Sequence, residues 1–469
     1  MKDNNLDILL ITPARESNQY IVPPIGLGYL ATALRKENFS INILDSVKKN
    51  LTQKELIEEI KKINPKILGV QLFSYDVSLS KKFFKLIKKY LPKTKLIIGG
   101  AHPTSEPKEV LNQFKEVDYA FKGESEEGLP ILVNFLLKNK KINLSKIPGL
   151  IWRKNNLINV NNQLYTKDLD KYGIPAWDLI DPRTYKEAPQ GGFLKEYPYA
   201  PISTSRGCPF RCSYCTVHIV SGRNIRVRSV QHVIEEIKML KEKYDVKEIH
   251  ILDDAFTASK QRVVEFCDSL IKNKIKIKFS FPNGIRLDSL DEEVLLKMKQ
   301  IGVQDFNVGV ESGSDGILED MKKSLTTKVI KEKTNLIKKI GLESNGFFII
   351  GYPTETKEDI LKTIKFAKQI PIKRAQFSLF KAYPGTDITN KLLKEKKINK
   401  INYDSFMYYK IDYVPEGLTE KELKNLQRKA FLEFYLRPKI LFSLIKEINS
   451  FEHFKFILQR IWYSFFVSK

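Results

Sequence analysis

Over roughly the first 130 residues, short apolar runs alternate with amphipathic stretches. The runs are LDILLITP, FSINILD, KILGVQLFS, KLIIGG and VDYAFKG; between them lie IGLGYLATALRKEN, QKELIEEIKKI, LSKKFFKLIKKYL and SEPKEVLNQFKE. Runs of that length suit buried strands, and the stretches between them carry apolar residues at helical spacing. The pattern therefore predicts a parallel, doubly wound sheet. Several runs end in Gly, Pro, Ser or Asp, turn residues that fall at the carboxyl edge of such a sheet, where ligands bind. The alternation then breaks: PGLIWRKNNLINV predicts a small hairpin, and GIPAWDLIDPRTY and APQGGFLKEYPYAP an ordered linker rich in Pro, Gly and aromatics. A second alternation follows, with candidate strands APISTSR, EIHILDD, IKFSFPNG, QDFNVGVES, ESNGFFIIG and AQFSLFKAY. Six such units are too few for an eight-unit barrel and predict a partial, open (β/α)6 barrel. The chain is thus expected to be α/β, divided into a Rossmann-like domain at 1–135, a linker with the hairpin at 136–198, a barrel at 199–395 and a helical C-terminal region at 396–469.

Composition changes this picture little. Among 469 residues, 42% are hydrophobic and 29% charged, as in globular proteins. No run of eighteen apolar residues suggests a membrane span, and the opening MKDNNLDILLITPAR reads as a first strand, not a signal peptide. Lys and Arg number 79 against 55 Asp and Glu, a formal charge of +24. The lysines are dispersed over solvated helix faces, and no stretch interleaves aromatics with arginines, so nucleic acid is not an expected partner.

The four cysteines matter more. Cys267, in VVEFCDSLI, has apolar neighbours at helical spacing and is expected to pack in the core. The other three crowd into Ser205-Arg206-Gly207-Cys208-Pro209-Phe210-Arg211-Cys212-Ser213-Tyr214-Cys215, between a strand and a helix. This distribution predicts a metal site in a reducing, cytoplasmic setting rather than a disulfide framework. Three thiolates from one loop can ligate three irons of a cubane cluster and leave the fourth open. With His218 close behind, a three-Cys, one-His zinc site in a non-catalytic binding protein is the alternative.

The segment matches in full the CxxxCxxC signature of the radical S-adenosylmethionine (SAM) superfamily, with Tyr214 as the aromatic before the last cysteine. The resemblance continues in order at the strand ends: Asp253-Asp254, Asn283-Gly284-Ile285-Arg286, Val310-Glu311-Ser312-Gly313, Gly351-Tyr352-Pro353 and Tyr383-Pro384-Gly385-Thr386. It implies a four-iron four-sulfur cluster on Cys208, Cys212 and Cys215. It implies SAM contacts at Tyr214, Asp253, Asp254, Arg286, Glu311, Ser312 and Gly351, and it disfavours zinc. His218 would line the pocket or pack. Arg223, Arg226 and Arg228 alternate in GRNIRVR, which suggests an extended edge facing either a ligand's anionic groups or solvent.

The first domain resembles the cobalamin-binding domain found ahead of many radical SAM proteins. The matching pieces are Pro23-Pro24-Ile25-Gly26-Leu27-Gly28, Gly99-Gly100-Ala101-His102 and Gly123-Glu124-Ser125-Glu126. The contacts implied are Pro24, Gly26, Ser74, Gly99, Gly100, His102, Gly123 and Glu124. No G-x-G-x-x-G follows the first strand, which argues against a dinucleotide. The first strand leads into Thr12-Pro13-Ala14-Arg15-Glu16-Ser17-Asn18, and no His precedes His102. A DxHxxG axial-ligand motif is therefore absent and base-off cobalamin without a protein imidazole is expected.

The resemblance spans about residues 5–390 and implies radical methylation of an unactivated carbon. In that reaction a 5′-deoxyadenosyl radical activates a small-molecule or lipid substrate and methylcobalamin supplies the methyl group. An oxidative cyclase of the magnesium-protoporphyrin ester type is the alternative within the same architecture. Either needs an electron donor, and a small acidic flavodoxin or ferredoxin would suit the basic surface. The last helix, with Phe456, Ile457, Ile461, Trp462, Phe465 and Phe466, would pack on the barrel or rest peripherally on a membrane.

Overall fold

β1 (Ile8–Thr12) is buried at every position, as a central parallel strand covered on both faces must be. The structure is a computed structural model and describes residues 6–14, 21–138, 140–185, 194–406 and 410–446. β2 (Ile41–Asp45) and β3 (Ile67–Gln71) flank β1, followed outward by β4 (Lys95–Gly99) and β5 (Tyr119–Phe121), all parallel. Side chains alternate between faces along each strand. Leu9, Ile11, Leu68, Val70 and Ile98 therefore join one core, with Phe83, Phe84 and Phe114, while Ile8, Leu10, Ile67, Ile97 and Phe121 join the other. Thr52 starts the helix Gln53–Ile63 with a capping box closed by Glu55, so sequence alone marks that boundary.

The expected hairpin forms as β6 (Leu150–Lys154) and β7 (Leu157–Val160), and β6 pairs antiparallel with β5. The first sheet is thereby extended to seven strands in the order β2-β1-β3-β4-β5-β6-β7. The linker that follows packs in the interface: Trp177 is buried and donates from its indole N–H to Glu236 Oε1 at 2.9 Å.

Six parallel strands make the second alternation. β8 (Tyr199–Ile202) pairs with β11 (Glu248–Ile251), and β11 with β12 (Lys278–Ser280); β13 (Asp305–Glu311), β14 (Glu343–Ile350) and β15 (Arg374–Leu379) form a second triplet. Isolated parallel bridges, Phe279 to Val303 and Ile285 to Val308, join the triplets into one open partial barrel. A short ribbon of β9 (Ser205–Arg206) and β10 (Arg226–Val227) stands at its mouth.

The helix Glu420–Tyr435 closes the β15 side. Phe431 and Phe434 meet Phe377 edge-on. The Tyr435 hydroxyl accepts from Ala375 N–H at 3.2 Å and donates to Ala375 C=O at 2.8 Å, satisfying groups an edge strand otherwise leaves open. No helix among the described residues is long and apolar enough to cross a membrane. The aromatic stripe from Phe456 to Phe466 lies outside the described residues. Phe434 is fully buried. Phe434→Ala is expected to lower the unfolding free energy by about 3–5 kcal/mol, read from a denaturant titration of the chain.

Candidate functional site

The cysteine loop is held at both ends by backbone. Cys208 N–H donates to Gly222 C=O at 3.0 Å, Ser213 N–H to Met321 C=O at 3.0 Å, and Ile388 N–H to Ser213 C=O at 3.1 Å. Gly207, at φ +98°, has no room for a side chain: a Cβ there would stand 2.3 Å from Asn224 O. Cys208, Cys212 and Cys215 are free thiols, partly accessible. Burial, with the neighbouring Cys212, Cys208 and Asp254, pushes the Cys215 thiol up to about 12. Three thiols on one short loop are a donor set for a soft metal centre, whose positive charge would favour the thiolate form that ligates it. Among the described residues, no three His, Cys, Asp or Glu side chains gather closely enough to close on one ion. A cubane takes one thiolate per iron, and three thiols from one loop fit that requirement. His218 sits half-buried in the turn Val217–Val220, near Arg223 and Asp387.

The strand ends converge beside this loop. Asp253 is buried and points back into the protein, accepting from Thr204 N–H at 2.6 Å and from the Ser205 hydroxyl at 2.7 Å. Asp254 faces the cavity, and burial raises its carboxyl to about 6. Arg286 lies over the Phe210 ring at 3.7 Å and pairs with Asp288 at 2.7 Å. Glu311, at φ +65°, takes Lys323 Nζ at 2.7 Å, and Tyr214 hydrogen-bonds the same carboxylate. Ser312 turns away, fully buried against Thr363 at 3.1 Å. Gly351 N–H donates to Glu355 at 2.7 Å, and the glycine packs against Leu423. Burial pushes the Glu355 carboxyl up to about 8.

A cavity of about 350 Å³ runs from the carboxyl edge of the first sheet to the barrel mouth. Its deep part is an apolar slot against the sheet, walled by Leu10, Ile67, Gly69, Ile97 and Leu129. At its mouth Gly26, Gly99, Gly100, Gly123 and Glu124 face Ser203, Arg206, Leu252 and Asp254. A Cβ on Gly99 would meet nothing within 4 Å, so that position opens into space. Gly100, at φ +108°, lets the chain turn past Leu72 O.

Of the expected SAM contacts only Asp254 lines this cavity, with Tyr214, Asp253, Arg286, Glu311, Ser312 and Gly351 outside it, and three expected cobalamin contacts also lie outside. Pro24 caps the helix Ile25–Arg35. β3 stops at Gln71, and Ser74 lies in the turn beyond it, its hydroxyl 3.2 Å from His102 Nδ1. His102 is wholly buried; its Nε2 lies 2.7 Å from Gln113 Oε1 and its ring meets Tyr403 edge-on at 5.2 Å. Gln113 in turn donates to the Tyr403 hydroxyl at 3.2 Å. The arginines of GRNIRVR face neither ligand nor solvent as a set. Arg226 pairs with Glu124 and Arg228 with Glu236, both buried, while exposed Arg223 donates to Phe210 C=O.

Comparison with known proteins agrees with this arrangement. Residues 202–367 match the radical SAM superfamily and residues 11–133 the B12 binding domain. An uncharacterized methyltransferase of Pyrococcus horikoshii is 34% identical over 97% of both chains. A cytidylyl-2-hydroxyethylphosphonate methyltransferase of Streptomyces wedmorensis is 24% identical over 94% of this chain and 92% of its own. The fold matches the radical SAM methyltransferase TsrM of Kitasatospora setae, solved with cobalamin and a [4Fe-4S] cluster, at a TM-score of 0.71 and 17% identity, over 88% of this chain and 83% of that one. It also matches the cobalamin-dependent radical enzyme OxsB at 0.76 and 15%, over 98% and 71%. The protein is a radical SAM enzyme with a cobalamin-binding domain. It belongs to the family of the Pyrococcus horikoshii methyltransferase, to which it aligns over nearly its whole length.

Sequence reasoning passed over Lys323, Glu126 and the slot residues. Lys323 is one lysine in a lysine-rich chain, and Leu10, Ile67 and Ile97 look like ordinary strand core. Only the side chain missing at Gly69, beside Leu10, marks the slot.

Burial holds His102 neutral down to about pH 4. The unfolded chain takes up that proton near the usual 6.5, so protons favour unfolding as pH falls from 6.5 towards 4. Stability present above pH 6.5 should fall by on the order of 3 kcal/mol across that window. His102→Gln should remove that part of the slope, measured by urea unfolding at pH 7 and pH 4.5.

Proposed function

We propose that this chain is a cobalamin-dependent radical SAM methyltransferase that methylates an unactivated carbon of a small molecule. The observation that carries this reading is the single cavity lined from both sides, by the glycine turns of the first sheet and by the barrel strand ends next to the cysteine loop. In this reading residues 1–135 hold cobalamin and residues 199–395 hold SAM and its cluster, joined by 136–198, with 396–469 covering the barrel. The methyltransferase relatives support it.

Cys208, Cys212 and Cys215 would hold the cluster. Asp254, Tyr214, Glu311 and Arg286 would surround SAM, with backbone near Gly351. Asp253 and Ser312, already hydrogen-bonded within the protein, would act by fixing the loops that carry these contacts. Gly26, Gly99, Gly100 and Gly123 would let cobalamin approach the backbone, and the apolar slot would take its nucleotide tail. His102 has both ring nitrogens engaged and lies outside the cavity, which supports a base-off cofactor with no protein imidazole on cobalt. When bound, the cluster with SAM supplies a hydrogen-abstracting radical, and cobalamin a transferable methyl group.

The chain's own part is to orient and to exclude water. Lys323 would keep the Glu311 carboxylate aimed through their 2.7 Å ion pair, so that it can accept from hydroxyls. Arg286, stacked on Phe210, presents a fixed cation. The apolar walls of Leu10, Ile67 and Ile97 would exclude water from the slot that takes the tail. An acidic flavodoxin or ferredoxin would serve as electron donor, steered by the basic surface.

The test is elemental analysis of chain purified without oxygen, with cobalamin supplied, followed by product analysis with SAM. About four irons and about one cobalt per chain are expected, with S-adenosylhomocysteine and 5′-deoxyadenosine formed together. Cys212→Ala should lose most of the iron and all 5′-deoxyadenosine. Iron and cobalt without S-adenosylhomocysteine would replace methylation by a cyclase-like reaction, as named for the 24% identical magnesium-protoporphyrin ester cyclase of Cereibacter sphaeroides. Iron without cobalt would end the cobalamin reading.

A further inference from the structure

The ribbon that carries the cysteine loop contains an unusual pair. Arg206 and Arg226 stand directly opposite each other across β9 and β10. Like charges at such a position repel, and the side chains here are only 17% and 6% exposed. The first domain supplies the compensation. Glu124 lies between the two, with Oε2 at 2.7 Å from Arg226 Nη1 and 3.4 Å from Arg206 Nη1. Glu126 takes Arg206 Nη2 at 2.7 Å. The rings of Tyr29 and Tyr172 lie 5.1 and 5.5 Å from the Arg206 guanidinium and add cation–π contacts. Glu124, Glu126 and Arg206 also line the shared cavity. Arg206 is two residues from Cys208, with only Gly207 between them, and that glycine packs closely against the Asn224 carbonyl while Cys208 N–H donates to Gly222 C=O at 3.0 Å.

We infer that Glu124, clasping Arg226 and Arg206 together with Glu126, is a positioning residue for the iron–sulfur cluster. A carboxylate at the rim of the cobalamin-binding domain thereby sets the geometry of the cysteine loop in the other domain. The inference rests on the cluster assignment proposed above but not on methyl transfer. Without Glu124, two buried guanidinium groups face each other with too little negative charge between them. The ribbon then relieves the repulsion by spreading, and Cys208 moves with it. Removing one arginine as well as the glutamate takes away the repulsion itself, so the second change restores what the first one damages.

The experiment uses full-length chain reconstituted with iron, sulfide and cobalamin, and compares Glu124→Gln, Arg226→Gln and the double variant. It reads the rate at which a chelator strips iron and the electron paramagnetic resonance spectrum of the reduced cluster. Glu124→Gln is expected to lose iron about tenfold faster, as for a weakened buried pair, with a changed spectrum. The double variant should return towards wild type in both. A wild-type stripping rate and spectrum in Glu124→Gln would overturn the inference. So would loss of cobalamin alone, or a double variant whose defects simply add. Should Glu124→Gln fail to fold, Glu126→Gln asks the same question with one glutamate left in the clasp; about threefold faster stripping is then expected, and an unchanged cluster refutes the inference. Substrate and product enter none of these readouts, so a chain that proves not to methylate leaves the result legible.

Discussion

Parallel pairing imposes one constraint from which the site follows. Strands that run the same way all end on the same side, so the first sheet and the barrel each gather their turns, glycines and carboxylates at a single edge. Here the two edges face each other across one cavity, with Gly99 and Gly100 on one side and Leu252 and Asp254 on the other. Neither unit alone makes that space. The polar groups beside it are arranged in pairs, Glu311 with Lys323 and Glu124 with Arg226, because an unpaired charge would be costly in so dry a place. The pairing has a chemical meaning: each carboxylate and its cation hold one another in place, so the walls are set before any ligand arrives.

Much of this was legible in the chain. Strand and helix periods gave both alternations, and the ordered motifs from Cys208 to Gly351 marked one face of the barrel. What sequence hides is which way a polar side chain turns at that face. Asp253 and Asp254 are neighbours, yet the first holds Thr204 and Ser205 while only the second faces the cavity. Ser312 follows Glu311 and points the opposite way, into the helix Lys357–Gln369. His102 has the look of a ligand by its place after Gly99-Gly100, and it is a sealed core residue instead. Arg226 and Arg228 show the same limit from the other side. Their spacing suggested an edge facing either a ligand's anionic groups or solvent, and they instead pair with Glu124 and Glu236, distant in sequence.

The barrel's openness also shapes what surrounds it. Six strands leave two edges, and the chain covers one with Tyr435, whose hydroxyl serves both backbone groups of Ala375. Gly351 accepts Leu423 of the same helix at close range. The C-terminal region is thus coupled to the strand-end turns of the site, by packing at Gly351 and by Asp412, which accepts from Ala382 N–H just past β15 at 2.6 Å.

The contact of Tyr403 with His102 and Gln113 has a consequence in time. These partners are separated by about 290 residues of chain, all of which must be synthesised before they can meet. During translation the first domain has its full sheet available long before the ring that seals His102 exists. Its glycine-lined edge is therefore open to solvent while the barrel is still being made.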